Sequence, residues 1–446
     1  MARTPWAPGA PALAAAARVV DEVIRCGHSA DAALASLANA PNRAAVRAIT
    51  LGTIRWYLRL APAVDGLIKH PSDVASPIRA LLTVAAHQVE YSRNVVEETV
   101  HAAVDATRLL GAQRATGLTN AVLRRFVAER ASLLARVDAQ LPARTAHPAW
   151  LVGQIAAAWP RQCVTILAAN NGHPLMTVRV DASRVDTRAY VAELAEEGID
   201  SYAIQWATCA VTLNHPVAVS RLPGFAEGRV SVQDAGAQLA APLLDVRGGM
   251  RVLDACAAPG GKTGHLLEQL SDGADLTAVD IDPARVGLIE DNLRRLKRTA
   301  RVVAADACDP GTFWDGRPFE RILVDAPCSS TGAIRRHPDI KLLRRAGDIP
   351  AFAAGQLALL RAAVSMLAPG GRLVYLTCSI LPAENEEVVT RLLAMEPQMG
   401  RATMPKGRAL APGVLDCTVG VQLLPGAEAG TDGFYYACLE KTTAGT

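Results

Sequence analysis

The sequence predicts an α/β protein: a mostly parallel sheet with helices on both faces, preceded by an all-α domain and a small α+β module. Three observations carry that expectation. Residues 12–135 repeat apolar positions at helical spacing. From residue 230, apolar runs without alternation are separated by helical stretches, the pattern of strands buried on both faces. Between these regions lie one clear strand, MTVRV (176–180), a helical stretch at 187–197 and weaker alternation at 209–219. The expected domains are 1–142, 143–228 and 229–446, with Leu141-Pro142 and His147-Pro148 marking the first boundary.

Composition excludes several classes. The chain has 446 residues, 50% of them hydrophobic and 20% charged, enough apolar content to fill large cores and too much for pervasive disorder. No run approaches the ~18 uninterrupted apolar residues of a membrane span. Pro5, Pro8, Pro11 and Arg18 interrupt the Ala-rich start, which reads as the lead into a helix rather than a signal peptide. A cytoplasmic protein without a membrane partner is expected, a monomer in the simplest case. Nine scattered cysteines with no C-x-x-C pair make neither a disulfide framework nor a zinc site, and no metal is expected. Charge is uneven: residues 1–150 hold 17 Arg and Lys against 11 Asp and Glu, the remainder 29 against 32. A cationic first third fits a nucleic-acid partner, and equally fits a solvated helical surface.

In the first domain Leu13, Val19, Val20, Val23 and Ile24 form one helix, stopped by Gly27. Ser29 and Asp31 start a second that carries Leu34 and Leu37. Further helices are expected at 46–60, 78–91, 95–110 and 119–136. GLTNAVLRRF (117–126) sets Arg124 and Arg125 beside an apolar stripe, to meet phosphate or simply solvent. A short helix at 150–159 follows, and Gly198 caps the helix at 187–197. The last domain reads as strand MRVLDACAA (250–258), helix 262–270, strand LTAVDID (276–282), helix 283–296, then strands RVVAAD (301–306) and ERILVDAP (320–327). Helix 349–367 precedes Pro369-Gly370-Gly371 and strand GRLVYLTCS (371–379), and FYYACLE (434–440) closes the sheet as an antiparallel strand.

Ligands of such sheets sit outside the carboxyl ends of the strands. There CAAPGGKT (256–263) joins the first strand to its helix. Gly260 and Gly261 let backbone approach a ligand, and the helix start offers free N–H groups. A phosphate-binding loop needs G-x-x-x-x-G-K-[ST], but Cys256 occupies the leading glycine position, and G-x-G-x-x-G is absent. The loop therefore suits a nucleoside without polyphosphate. Asp280, Asp306 and Asp325 end the next three strands. One such Asp more often caps the following helix. Three in succession behind a Gly-Gly loop point to a cofactor crevice, which S-adenosyl-L-methionine fits best.

Cys328 in DAPCSS (325–330) and Cys378 in TCS (377–379) follow strand ends at the same mouth. A lone cysteine is usually a small buried hydrophobe. Two beside one crevice suit methylation of cytosine at C5. That carbon is a poor nucleophile until a thiolate adds at C6 and breaks the aromaticity, and a base must then remove the C5 proton so that the sulfur can leave. An acid such as Asp325 can hold the N3/N4 edge of a base that has left its stack. Spacing alone does not rank the two cysteines.

CAAPGGKT, VDID, DAPCSSTG-x-IRRHPDIK, LVYLTCSI-x-PAENE and DGFYYA, with QDAGAQ (233–238) ahead of them, resemble the motifs of the RNA cytosine-C5 methyltransferase family (Nop2/Sun, also called Fmu). The N-terminal helices with GLTNAVLRRF resemble a NusB-like RNA-binding domain. The resemblance covers almost the whole chain. It implies a Rossmann-like class I methyltransferase domain, S-adenosyl-L-methionine as cofactor, and 16S ribosomal RNA or an early small-subunit particle as partner. It further implies Cys378 as nucleophile, Cys328 assisting breakdown of the adduct, and a cofactor site of Cys256, Ala257, Ala258, Pro259, Gly260, Gly261, Lys262, Asp280, Asp306 and Asp325. Cytosine-C5 enzymes acting on DNA use the cysteine of the Pro-Cys motif, so Cys328 as nucleophile is the alternative. Asp181 and Arg184 in VRVDASR (178–184) stand where relatives often have Asn and Lys. Arg335, Arg336 and His337 are expected to grip RNA, or else to pair with Asp339 or the sheet edge. Transfer RNA as substrate, a noncatalytic RNA-binding assembly factor and a P-loop hydrolase are the competing functions. Intact cysteines beside an intact loop oppose the second, and Cys256 opposes the third.

Overall fold

The computed structural model describes residues 6–37, 42–270, 275–405 and 407–443. They form two units: 1–172 with 334–346, and 173–333 with 347–446.

In the first unit α1 (Ala10–Cys26), α2 (Ala30–Ala35), α3 (Arg43–Asp65), α4 (Ser76–Tyr91), α5 (Val96–Leu109) and α6 (Thr116–Val137) enclose one core. Gly27 ends α1 in the left-handed conformation, and the Ser29 hydroxyl caps α2 by accepting from Ala32 N–H. Leu13, Val20 and Val23 meet Ile54, Leu81, Val84, Leu123 and Phe126 inside. Two shorter helices, α7 (Ala149–Ala158) and α8 (Cys163–Asn170), follow; the second was not anticipated.

The segment 334–346, far along the chain, also belongs to this unit. Its Leu342 and Leu343 pack against the helical core. Asp339 accepts from the Ala30 N–H (3.1 Å), Arg55 donates to the Arg335 carbonyl (2.7 Å), and His337 pairs with Asp31 (3.3 Å). Lys341, only 2% exposed, donates to the Arg55 carbonyl (2.6 Å) and Asn171 Oδ1 (2.8 Å). Both acceptors are uncharged, and two donors suffice for them, so a neutral amine fits the site. Burial, and then the nearby Arg55 charge, push the Lys341 amine well below 10.5.

In the second unit β1 (Met176–Val180), α9 (Thr187–Glu196), β2 (Ser201–Ala203), β3 (Ala210–Leu213) and β4 (Val230–Val232) build an antiparallel sheet of order β2-β3-β1-β4. Tyr190 and Leu194 of α9 pack on Val178, Val180, Val211 and Leu213. The main sheet follows: β5 (Arg251–Ala255), α10 (Gly261–Gln269), β6 (Asp275–Asp280), α11 (Pro283–Leu296), β7 (Arg301–Ala304), β8 (Phe319–Asp325), α12 (Asp348–Met366), β9 (Leu367–Thr377), α13 (Glu386–Met395), β10 (Met399–Arg401), β11 (Leu415–Asp416), β12 (Val421–Leu423) and β13 (Phe434–Lys441). Its order is β11-β12-β13-β9-β8-β5-β6-β7, with β10 beside β13. Strands β5 to β9 are parallel, and β10 to β13 add an antiparallel flank, so the sheet is more mixed than the sequence predicts.

Both faces are covered, which explains the missing alternation. Val252, Leu323, Val374 and Tyr436 face one core, and their neighbours Leu253, Val324, Tyr375 and Tyr435 face the other. Helix α12 is long and apolar enough to cross a membrane by length and composition. Its Ala353, Leu357, Leu360 and Val364 lie instead in the second of these cores. Strand β9 begins at Leu367, before Pro369-Gly370-Gly371 rather than after it.

Lys341 gives a pH test. Its folded value lies below its unfolded one, so the unfolded chain binds the extra proton and stability rises with pH up to about 10.5. Replacing it with Met removes that term. The Tm of Lys341→Met relative to the wild type is expected to fall as pH rises from neutral, on top of a constant offset from the lost Arg55 and Asn171 hydrogen bonds, measured by thermal melts across that range.

Candidate active site

The strand order sets the carboxyl ends of β9, β8, β5, β6 and β7 side by side. Cys378 follows β9, Asp325 and Cys328 come with β8, the 256–262 loop follows β5, Asp280 ends β6 and Asp306 lies just beyond β7. The sequence-predicted residues therefore share one edge of one sheet.

On the loop side, Gly260 starts α10 at φ 90°, and a Cβ there would come within 3.2 Å of Ile289 Cα on α11. Asp280 accepts from the N–H groups of Ala258 (3.1 Å) and Asp282 (3.2 Å). Asp282, not Asp280, caps α11, accepting from the Ala284 N–H. Asp306 accepts from the Cys308 N–H at 2.8 Å. Ile281 beside Asp280 is 66% exposed, an apolar surface next to the carboxylates. Carboxylates in a row with an apolar face and glycine backbone suit a ligand that has hydroxyl donors, a flat ring and a positive charge. Beneath the loop the buried Thr263 hydroxyl donates to Asp254, and burial lifts the Asp254 carboxyl to about 7.

Lys262 does not reach outward as a phosphate-binding lysine would. It donates to Asp325 Oδ2 at 2.5 Å. Burial opposes its charge, but the Asp325 carboxylate outweighs that and raises its pKa.

The two sulfurs lie 3.4 Å apart. The Ser330 hydroxyl stands 3.4 Å from Cys378 Sγ, aimed there from a left-handed backbone at φ 61°, uncommon for a residue with a Cβ. The pair is electrically asymmetric. A hydrogen bond from Cys328 pulls Cys378 below the ordinary thiol value, helped by Ser330 and the Lys262 charge against burial and Asp325. Cys328 is pushed well above 9.0 by Cys378, by burial and by Glu384. Of the two, Cys378 is therefore the more readily ionised thiol and Cys328 the one that keeps its proton more firmly.

Glu384, wholly buried, holds the two cysteine loops together. It accepts from the Ser329 N–H (2.7 Å), the Ser329 hydroxyl (2.6 Å) and the Ser379 hydroxyl (2.6 Å). Asn385 ties Thr377 to the Ser379 carbonyl, and Gln422 donates to that same carbonyl. Gly332 N–H donates to the Cys378 carbonyl (2.8 Å), and the Gly332 carbonyl accepts from Gly433 N–H (2.9 Å). A Cβ on Gly332 would meet the Gly433 carbonyl oxygen at 2.3 Å and the Cys378 carbonyl oxygen at 2.8 Å. Sequence reasoning did not single out Ser330, Gly332, Glu384 or Gly433. Glu384 was visible only as one letter of PAENE, and Gly433 as one letter of DGFYYA.

The cationic residues are more engaged than expected. Arg335 is 7% exposed, and Arg184 pairs with Asp181 (3.3 Å) while donating to the Leu296 carbonyl (2.7 Å). On α6, Arg124 donates to Asn120, and Arg125 to Glu129 and the Leu67 carbonyl.

Comparison with known proteins adds an independent line. The model of the 16S rRNA methyltransferase RsmB/F family matches residues 241–440, that of an RsmF/B-like ferredoxin-like domain residues 147–220, and that of the NusB family residues 12–128. Ribosomal RNA small subunit methyltransferase B of Pseudomonas putida is 44% identical over 412 residues, 90% of this chain and 91% of that one. The crystal structure of PH0851 shares the fold across 96% of this chain and 99% of its own, with a TM-score of 0.76 at 23% identity. A methyltransferase homologue from Pyrococcus horikoshii covers 67% of this chain and 97% of its own, with a TM-score of 0.59 at 25% identity.

Two substitutions test the geometry. Lys262→Met removes a cation that favours the Cys378 thiolate, so the pH midpoint of Cys378 alkylation is expected to move upward. Gly332→Ala forces the two loops apart and is expected to cost about 2–4 kcal/mol, read by chemical denaturation.

Proposed function

The chain belongs to the family of 16S rRNA methyltransferases RsmB/F, and on that premise we propose that it methylates C5 of a cytosine in 16S ribosomal RNA through a covalent bond between Cys378 and C6. The observation that carries this reading is the pair of sulfurs 3.4 Å apart at the mouth of the loop crevice, of which Cys378 is the more readily ionised. S-adenosyl-L-methionine, when bound, supplies the electrophilic methyl group. The 256–262 loop, Asp280, Asp306 and Asp325 would hold it, in keeping with the carboxylate row and exposed Ile281 described above.

The protein's own residues divide the work. The Cys378 thiolate adds to C6, which gives C5 the electron density of an enamine. Asp325 accepts from the N4 amino group, and a proton shared between its carboxyl and N3 favours the adduct, while Lys262 balances its charge, so the base is oriented as it leaves its stack. The coupling between the sulfurs then reverses its effect. Before addition the negative charge on Cys378 holds the proton on Cys328. Once that charge is committed to the carbon–sulfur bond, Cys328 is relieved of its strongest opponent and ionises more readily. It stands close to the adduct as the base that removes the C5 proton, and the C6–sulfur bond breaks as the aromatic ring returns.

The 16S target rests on the family, and the same chemistry on transfer RNA is the alternative that bisulfite sequencing of both RNAs, with and without the gene, distinguishes. The NusB-like helices supply RNA binding in this reading, with cytoplasmic ribosomal RNA as the partner.

Cys378→Ala is expected to abolish both methyl transfer and any covalent protein–RNA species. Cys328→Ala is expected to accumulate an adduct that survives denaturing electrophoresis, because addition proceeds and release does not. The opposite pattern assigns the nucleophile to Cys328. Titration with S-adenosylhomocysteine is expected to release heat of binding where ATP gives none, and tight ATP binding alone overturns the cofactor assignment.

A further inference from the structure

We propose that Cys328 and Cys378 are also a modification site: a hydroperoxide converts them to a disulfide that a dithiol reverses, and the oxidised form is held out of catalysis.

Three features of the pair converge. The sulfurs are 3.4 Å apart, so bonding at about 2.0 Å needs a closure of about 1.4 Å, within reach of small side-chain rotations. Both residues sit on loops rather than in strand interiors, Cys328 after β8 and Cys378 after β9. Their roles are unlike: Cys378 is partly exposed and hydrogen-bonded by Ser330, whereas Cys328 is buried directly behind it. That is the arrangement of an attacking sulfur with a resolving one.

The chemistry balances with a hydroperoxide, ROOH, as the oxidant. The Cys378 thiolate attacks the terminal oxygen, a sulfur–oxygen bond forms, the oxygen–oxygen bond breaks and alkoxide leaves. The alkoxide takes the Cys328 proton and departs as alcohol. The Cys328 thiolate so formed attacks the Cys378 sulfenic acid, the sulfur–sulfur bond forms, the sulfur–oxygen bond breaks and hydroxide leaves. Two electrons pass from the thiols to the peroxide. Cys26 and Cys308, the two exposed cysteines among the described residues, serve as internal controls.

The site also protects itself. Without a resolving partner, a sulfenic acid at Cys378 would continue to the irreversible sulfinic acid. The disulfide stops that progress at a form a reductant restores. The loss of activity on oxidation rests on the proposed function, whereas the disulfide itself does not.

The test treats the full-length protein with one equivalent of tert-butyl hydroperoxide, blocks free thiols with N-ethylmaleimide and maps the proteolytic peptides by mass. The expected product joins the peptides of Cys328 and Cys378, lighter than the free pair by two hydrogens, and dithiothreitol releases it. In Cys328→Ser, dimedone is expected to trap Cys378 as the sulfenic acid, and prolonged peroxide to give a sulfinic acid that dithiothreitol does not reverse. Sulfinic Cys378 beside alkylatable Cys328 in the wild type overturns the proposal. So does oxidation of Cys26 or Cys308 with Cys378 untouched, or equal reversibility in the serine variant. Methyl transfer to RNA is followed in parallel, and its loss on oxidation and full return on reduction are expected. A linked peptide with methyl transfer undiminished counts against the catalytic reading of Cys378 and leaves the disulfide standing.

Discussion

The site depends on one buried carboxylate. Glu384 is removed from solvent, and a lone charge there would cost several kcal/mol. Three short hydrogen bonds from Ser329 and Ser379 offset that cost. These donors flank the two cysteines, one residue beyond each. The carboxylate therefore fixes two loops that leave adjacent parallel strands, and the sulfurs meet as a result. Its negative charge has a second effect, since it lies on the Cys328 side and helps to keep that thiol protonated. Packing and electrostatics at the centre thus have one origin.

The asymmetry of the sulfurs follows from where the surrounding charges fall. Lys262 lowers the Cys378 value although Asp325 opposes it, and the hydrogen bond between Cys378 and the Ser330 hydroxyl lowers it further. The loop after β5, read from the sequence as part of a ligand crevice, thereby also places a cation that acts on the thiol at the end of β9. The Lys262–Asp325 contact joins the loop after β5 to the end of β8, which leads to Cys328.

Much of this was legible beforehand because it is local. Apolar runs such as ERILVDAP mark strands buried on both sides, and a Gly-Gly loop between strand and helix marks a ligand edge. Ser29 and Gly27 announced a helix boundary that the structure has where the spacing put it. What escaped is nonlocal. Glu384 matters because of Ser329, 55 positions away, and Gly332 because of Gly433; no spacing rule relates such pairs. Strands β10 to β12 are too short to show a period and exist by pairing with β13 or, for β11, with β12. The arginines after the Cys328 loop illustrate the same limit. IRRHPDIK reads as a basic surface, yet Arg335 and Lys341 are buried in the helical unit.

That last segment has a bearing on how the protein is made. Synthesis runs from the N-terminus, and early domains ordinarily fold as they emerge. Here the first unit is still incomplete when Gly172 leaves the ribosome, because Asp339, the acceptor for Ala30, and the Arg335 carbonyl, the acceptor for Arg55, are still untranslated. Strands β1 to β8 must be produced first. The nascent helical bundle therefore lacks these partners while residues 173–333, over a third of the chain, are made, and it gains them soon after Cys328 is translated.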